Sequence, residues 1–167
     1  MSEKEEVIKE KLDHSGLFDF KGLYSFAHGW LSEDKNYGVV EEKYSEKVSG
    51  NSREINIEWV ASKRVSDYFK FEIKIRYSIS GLTDVEAEID GEKKRLNKGK
   101  ISLSITGNLI KDPESKWDKQ PLTRFFRDIY NKYVIPGRVF SMESIIEKDV
   151  ITLKEELKAF LELVGRR

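Results

Sequence analysis

A serine and a histidine lie three residues apart in this sequence, at Ser25 and His28. A histidine beside a serine hydroxyl can take its proton and turn the oxygen into a nucleophile. That chemistry also needs a third group that orients the histidine, and in many hydrolases a G-x-S-x-G turn. Neither accompanies Ser25, and both residues fall on one short predicted helix. The sequence therefore names no catalytic residue, although an active site assembled from distant residues stays open.

Two carboxylates, Glu86 and Glu88, fall on one face of a predicted strand. At about 3.4 Å per residue they lie about 7 Å apart, which overlaps the carboxylate separation of inverting glycosidases. A general acid must also be buried for its pKa to rise, and nothing in the pattern buries this pair. We expect both on a solvated face, opposite lysines and arginines of neighbouring strands.

Metal and cofactor signatures are absent from the sequence. The two histidines are His14 and His28, and the lack of cysteine excludes disulfides and thiolate ligands. No G-x-G-x-x-G motif occurs, and Gly99-Lys100 lacks the earlier glycine of a P-loop. His14 falls at the end of a predicted helix, where an imidazolium is favoured by the helix dipole. The sequence therefore predicts no cofactor and no metal site.

A dense group of positive charges lies between residues 92 and 100, where five bases face one acid. Such a segment can contact the phosphates of nucleic acid or of an anionic membrane. It lacks the aromatic side chains that base stacking needs, and lysines on an edge strand also block aggregation. The basic patch consists of Lys93, Lys94, Arg95, Lys98 and Lys100.

The elements that would position these residues are clearest between residues 69 and 79, where apolar and polar side chains alternate. A period of two puts the apolar residues on one face of a strand, as in an antiparallel sheet covered on one side. Similar segments and short turns predict a meander of five or six strands over about 37–110. Asp90-Gly91 is a hairpin turn. The six apolar residues are Phe69, Phe71, Ile73, Ile75, Tyr77 and Ile79.

Helical spacing predicts two helices before the sheet and two after it. The first covers about 3–14, where Ser2 and Glu5 form a capping box, and the second about 19–31. The third covers about 121–134, with Pro121 at its first position, and the fourth about 141–164. The fold class is thus α+β, as a single domain over 1–167, with the C-terminal helices on the apolar face of the sheet.

The apolar stripe of the last helix has two interpretations. Its regular intervals of three and four suit a coiled-coil seam between two chains. Packing on the sheet is favoured, because an uncovered apolar sheet face costs about 25 cal/mol per Å². The interface candidates are Ile146, Val150, Leu153, Leu157, Phe160 and Val164.

At the level of architecture, two helices, a curved sheet and a long C-terminal helix resemble the helix-grip fold of lipid- and hormone-binding proteins. That fold also has a leading strand before its helices, which the predicted elements lack. The resemblance implies a cavity between the sheet and the long helix. Its candidate lining is Phe71, Ile73, Tyr77 and Phe126.

Three functions remain as hypotheses. The first is a non-catalytic binding or assembly module that has a protein partner or binds a second copy of itself. The second is a carrier of an apolar small molecule. The third is a protein that contacts phosphates of nucleic acid or of an anionic membrane through residues 93–100. Residues 1–42 carry −5 and the remainder +5, so we expect internal ion pairs or head-to-tail association. The polar start and the lack of a long apolar run predict a cytoplasmic protein without a membrane span. The composition, rich in Lys and Glu, is typical of thermophile proteins.

Overall fold

Five antiparallel strands and a long helix make up most of the fold. The computed structural model describes residues 3–111, 125, 129 and 135–165. The strands form one sheet in the order β1-β5-β4-β3-β2, which confirms the α+β class. The elements are β1 Glu3–Phe18, α1 Phe20–Gly29, a π-helical turn Trp30–Asp34, β2 Gly38–Ser49, β3 Ser52–Arg64, β4 Phe69–Ile89, β5 Glu92–Lys111 and α2 Ile135–Gly165.

The alternation in β4 sets the two faces of the sheet. Its odd-numbered residues from 69 to 79 are at most 2% exposed, and the even-numbered ones are half-buried or exposed. β3 and β5 continue the apolar rows across the sheet, so that Ile57, Tyr77 and Leu103 lie side by side. This inner face holds the hydrophobic core, and the opposite, outer face is polar.

Two helices cover the inner face. α2 packs against β1 and β5, and α1 contacts β3 through the edge-on rings of Tyr24 and Trp59, whose centroids are 4.9 Å apart. The helices meet where Phe26 stacks on Phe160 at 5.2 Å. Together they take the apolar rows of the sheet out of water, which is the main favourable contribution to folding.

The helix predicted over residues 3–14 is wrong, because this segment is the edge strand β1. It pairs with β5 along its whole length, from Glu3 opposite Lys111 to Phe18 opposite Asn97. The backbone groups along this side of β5 thereby gain hydrogen-bond partners. An isolated local preference for helix is worth less than this pairing and the burial that accompanies it.

Two features explain why the sequence pattern of residues 3–18 did not indicate a strand. A bulge between Glu6 and Ile8 shifts the register, which breaks the period of two. Polar residues also occupy the inner row at this edge: Glu10 forms a salt bridge of 3.2 Å with Lys154 of α2, and the ring of His14 lies edge-on to Phe18. An edge strand tolerates such residues because its inner row is only partly covered.

The sheet has five strands, within the predicted five or six, but only four of them, β2 to β5, lie in the predicted meander over about 37–110. β4 and β5 are longer than predicted. Ser80-Gly81 and Asn97-Lys98-Gly99, both predicted as turns, lie inside β4 and β5 as a bulge with a register shift between Ser80 and Thr83. A Cβ on Gly99 would lie 3.0 Å from the carbonyl oxygen of Gly81, so the glycines allow the two backbones to approach closely. The Asp90-Gly91 turn is confirmed, with φ of 53° and 82°.

Two of the other three predicted helices are confirmed, and the third lies mostly outside the described residues. The helix over 19–31 is confirmed as α1 and its π-helical turn, and the one over 141–164 as the single helix Ile135–Gly165. The helix over 121–134 lies outside the described residues, except that 125 and 129 are helical. Among the described helices, none is long and apolar enough to span a membrane.

β1 is a strand that precedes the first helix, which the predicted elements lacked. It lies beside the last strand, β5, and the chain then crosses by α1 to the far edge at β2. Charges of the acidic first segment pair with the rest of the chain, as in Lys111 with Glu5 at 3.5 Å and Glu10 with Lys154.

The contact between α2 and β5 can be tested at Gly107. A Cβ there would lie 2.8 Å from Val150 and 3.1 Å from both Ile146 and Ile8, so Gly107→Ala should lower the free energy of unfolding by about 1–3 kcal/mol. Urea unfolding followed by circular dichroism measures it. The control is Gly29→Ala, whose Cβ would meet open space and should stabilise by about 0.5–1 kcal/mol. Equal stability of the Gly107→Ala variant and the parent would contradict the close packing.

Candidate ligand cleft

An open cleft of about 500 Å³ lies where α1 begins. Aromatic and aliphatic side chains lie beside charged ones in its lining. Five elements and the residue before α1 contribute to it. Its lining is Asp19, Phe20, Lys21, Tyr24, Tyr44, Arg53, Asp84, Arg95, Leu96 and Asn97.

A chain of hydrogen bonds holds the polar side of the cleft. The backbone N–H of Phe20 donates to Asn97 Oδ1 at 3.1 Å, and Asn97 Nδ2 donates to Asp84 Oδ1 at 2.8 Å. Arg53 Nη2 donates to the same Asp84 oxygen at 3.0 Å. Because charge-assisted hydrogen bonds of this kind are stronger than neutral ones, the start of α1 is fixed against β3, β4 and β5.

The charges around the cleft are unevenly matched. Asp19 is the N-cap of α1 and accepts from the Gly22 N–H at 3.0 Å, and Asp84 is engaged as described. Arg53 also lies 3.5 Å from Glu46. Within the described part of the chain, Lys21 and Arg95 form no salt bridge. Arg53 is thus already paired with Asp84 and Glu46, and Lys21 and Arg95 are the two lining cations that an anionic group could pair with.

The apolar wall is built from aromatic rings that are themselves supported from below. Phe20 and Tyr24 lie 6.3 Å apart, and Tyr24 rests edge-on against Trp59. The hydroxyl of Tyr24 and the indole N–H of Trp59 donate to one oxygen of Glu41, at 2.7 and 3.1 Å. Burial and the hydrogen bond to Glu41 raise the pKa of Tyr24 to about 12, so Tyr24 stays a neutral donor at neutral pH.

The residues expected to line an interior cavity lie in the core instead. Phe71, Ile73 and Tyr77 are at most 1% exposed, and Tyr77 packs edge-on against Trp59 at 5.1 Å. Phe126 lies outside the described residues. The cleft at the start of α1 is therefore a different place from the one that the resemblance implied.

Among the described residues, one buried side-chain polar atom lacks a hydrogen-bond partner. The hydroxyl of Tyr77 is buried and makes no hydrogen bond within the described part of the chain. By contrast, the buried hydroxyl of Tyr37 donates to Asp149 at 2.9 Å. Burial first, and then the charge of Asp149, raise the pKa of Tyr37. The loss of water is therefore offset by a hydrogen bond at the hydroxyl of Tyr37 and not at that of Tyr77.

Most of the interface candidates are used within the chain. Ile146, Val150, Leu153 and Leu157 are 0% exposed in the core. Phe160 is half-buried against Phe26 of α1, and the side chain of Val164 lies outside those described. The stripe of α2 thus covers the sheet, as the favoured interpretation had it.

The basic patch divides between two places. Lys93 lies opposite Glu88, and Arg95 lies opposite Glu86, so the pair of glutamates is on an exposed face among bases. Arg95 lines the cleft, and Lys94 lies opposite Ala87 on the exposed hairpin. Lys98 and Lys100 lie further along β5 beside hydroxyl groups.

The histidines have structural neighbours. His28 lies 3.4 Å from the hydroxyl of Ser32, one turn along the chain, and its ring is edge-on to Trp59 at 5.8 Å. His14 Nε2 lies 3.1 Å from the carbonyl oxygen of Leu17. Among the described residues no group of three or more potential ligands could hold a metal ion.

Comparison with protein-family models gives no match, and searches of curated proteins and of solved structures give none either. The function must therefore be argued from the geometry of this chain.

The two buried phenols provide a matched test of the interior. Tyr37→Phe removes the donor to Asp149 and should cost about 1–3 kcal/mol of unfolding free energy. Tyr77→Phe removes a hydroxyl that has no partner, so the variant should be as stable as the parent or more stable by about 1 kcal/mol. Urea unfolding of both variants measures the difference. An equal loss in Tyr77→Phe would mean that this hydroxyl has a partner after all.

Proposed function

We propose that this protein is a non-catalytic binding protein whose ligand is a small amphipathic anion held in the cleft at the start of α1. The observation that carries the proposal is an aromatic wall beside two cations, Lys21 and Arg95, that form no salt bridge within the described part of the chain, in one cleft of about 500 Å³. Binding sites for small molecules are commonly concave, mainly apolar and provided with a few polar groups that fix orientation.

The chemistry of the lining specifies the ligand class. Phe20, Tyr24 and Tyr44 offer flat apolar surface, and Tyr44 is 48% exposed although it points to the inner face. Lys21 and Arg95 can pair with a carboxylate, sulfonate or phosphate group, because neither forms a salt bridge within the described part of the chain, although Glu86 lies opposite Arg95. The ligand would thus have an aromatic or aliphatic body and one anionic group.

The helix-grip order of elements supports a carrier, but only as an analogy of fold. Assembly through the stripe of α2 has less support, since the residues of that stripe are already buried against the sheet. A protein partner would have to use another surface.

A fluorescence titration with 1-anilinonaphthalene-8-sulfonate tests the proposal, because this probe joins an aromatic body to a sulfonate. We expect saturable binding to the folded protein. Replacing both unpaired cations, by Lys21→Gln with Arg95→Gln, should weaken the probe about fivefold, since exposed charges contribute about 0.5 kcal/mol each. Tyr44→Ala should also weaken it by removing part of the wall.

The matched control is Lys148→Gln with Lys158→Gln, which removes two exposed lysines of α2 and should leave the probe affinity unchanged. Each variant must unfold cooperatively in urea, because partly folded states bind this probe too. If the cleft variant and the control variant weakened probe binding equally, the cleft would be refuted as the site. It would also be refuted if the probe bound equally well to the parent, to the cleft double variant and to the Tyr44→Ala variant.

A further inference from the structure

The outer face of the sheet carries a polar groove that lies opposite the core and is separate from the cleft. Its floor is the outer row of β5, where Ser102, Ser104 and Thr106 follow one another at every second position. β1 flanks this row on one side and β4 on the other. Short side chains between longer ones make the row a depression rather than a ridge.

The strand register places four cations around the floor of the groove. Lys9 and Lys74 lie on either side of Thr106, and Lys11 and Arg76 lie on either side of Ser104. With strands about 4.8 Å apart and about 6.8 Å between same-face neighbours, the four Cα positions form a rectangle of about 10 by 7 Å. Lys9, Lys74, Arg76 and the two hydroxyls line one shallow cleft of about 130 Å³.

The acids near this rectangle are occupied. Glu72 lies 2.6 Å from Lys4 and 4.0 Å from Lys74. It also accepts from Asn108, and Asp13 accepts from Ser102. Glu58 lies 3.4 Å from Arg76 on the far side from the groove. The side-chain hydrogen bond with Lys4, and then the charge of Lys4, lower the pKa of Lys74, as expected where cations accumulate.

The groove continues beyond the rectangle toward the bulge in β4 and β5. Two further clefts follow along β5, sharing Ser15, Ser80 and Lys100, and the last of them also contains Thr83 and Lys98. From Lys98 to Thr106 the groove is about 27 Å long at 3.4 Å per residue. Hydroxyl groups thus line its length, with cations at both ends, and Asp13 lies beside Ser102 in the middle cleft.

We propose that this groove binds the phosphodiester backbone of a nucleic-acid strand without regard to base sequence. Phosphate oxygens accept hydrogen bonds from Ser and Thr hydroxyls and pair with Lys and Arg, and such contacts position a strand without reading it. The groove offers both kinds of group in rows, which a single small anion would not use. Its floor has no aromatic side chain, so base stacking contributes nothing.

An anionic membrane is the other polyanion that such charges attract. A bilayer surface is broad, and it would be held best by long cations and apolar side chains on a protruding surface. Here the hydroxyls lie low between two flanking strands, and they would stay out of reach of a flat surface. The elongated shape therefore favours a single strand of phosphates.

Fluorescence anisotropy with a labelled oligo(dT) and with a labelled duplex tests this proposal at low and moderate salt. Lys9→Gln with Lys74→Gln removes two cations that flank Thr106. We expect about a tenfold loss of affinity for oligo(dT), with a fall of about 1.4 in the slope of log K against log salt. The control is again Lys148→Gln with Lys158→Gln, which should leave both quantities unchanged.

Absence of binding by the parent protein at about 0.1 M salt, where phosphate contacts still act, would overturn the proposal. Equal losses in the two double variants would also overturn it, since charge alone would then explain the affinity. Binding to phosphatidylserine vesicles that is lost in the Lys9 and Lys74 variant, without oligonucleotide binding, would assign the groove to membranes instead. Loss of oligonucleotide binding with unchanged binding of the anilinonaphthalene probe would show that groove and cleft are independent sites.

Discussion

The apolar inner face of the sheet is the constraint on which the rest of the structure depends. β4 alone presents six large side chains to that face, all at most 2% exposed. Leaving them in water would cost far more than the marginal stability of a domain. β1 extends the sheet beyond β5. α2 covers the inner face over β1 and β5. The helix after β1 then closes the remaining side against β3.

Among the described residues, side chains fill the space between the sheet and the helices. Gly107 has no side chain because Ile8 and two residues of α2 already occupy the space above it. Trp59 and Tyr77 fill the region under α1. A ligand is therefore more easily held where the cover ends, between the first turn of α1 and the uncovered part of β2. That rim is where aromatic side chains such as Tyr44 are exposed and where a hydrogen-bonded network fixes the polar groups.

The sequence predicted those parts of the fold that depend on a single uniform pattern. The alternation of β4 and the stripe of α2 are long and regular, since each element has one face entirely in the core. β1 escaped prediction because Glu10 and His14 interrupt its inner row and a bulge breaks its period. The cleft escaped it for another reason. Arg53, Asp84 and Asn97 are ordinary surface residues in their own strands, and only the pairing of the strands and the start of α1 brings them together. The sequence alone does not predict the groove, because Lys9, Thr106 and Lys74 come from three strands and only the strand register aligns them.

In the proposed function, side chains of the described residues fill the interior, and a small amphipathic ligand binds at the rim. Amide chemical shifts of the isotope-labelled protein, recorded during a titration with 1-anilinonaphthalene-8-sulfonate, test this most directly. We expect shift changes concentrated at residues 19–24 and 95–97 and at Tyr44, Arg53 and Asp84. Changes centred on Phe71, Ile73 and the facing turns of α2 would contradict it, because the probe would then occupy the interior between sheet and helix.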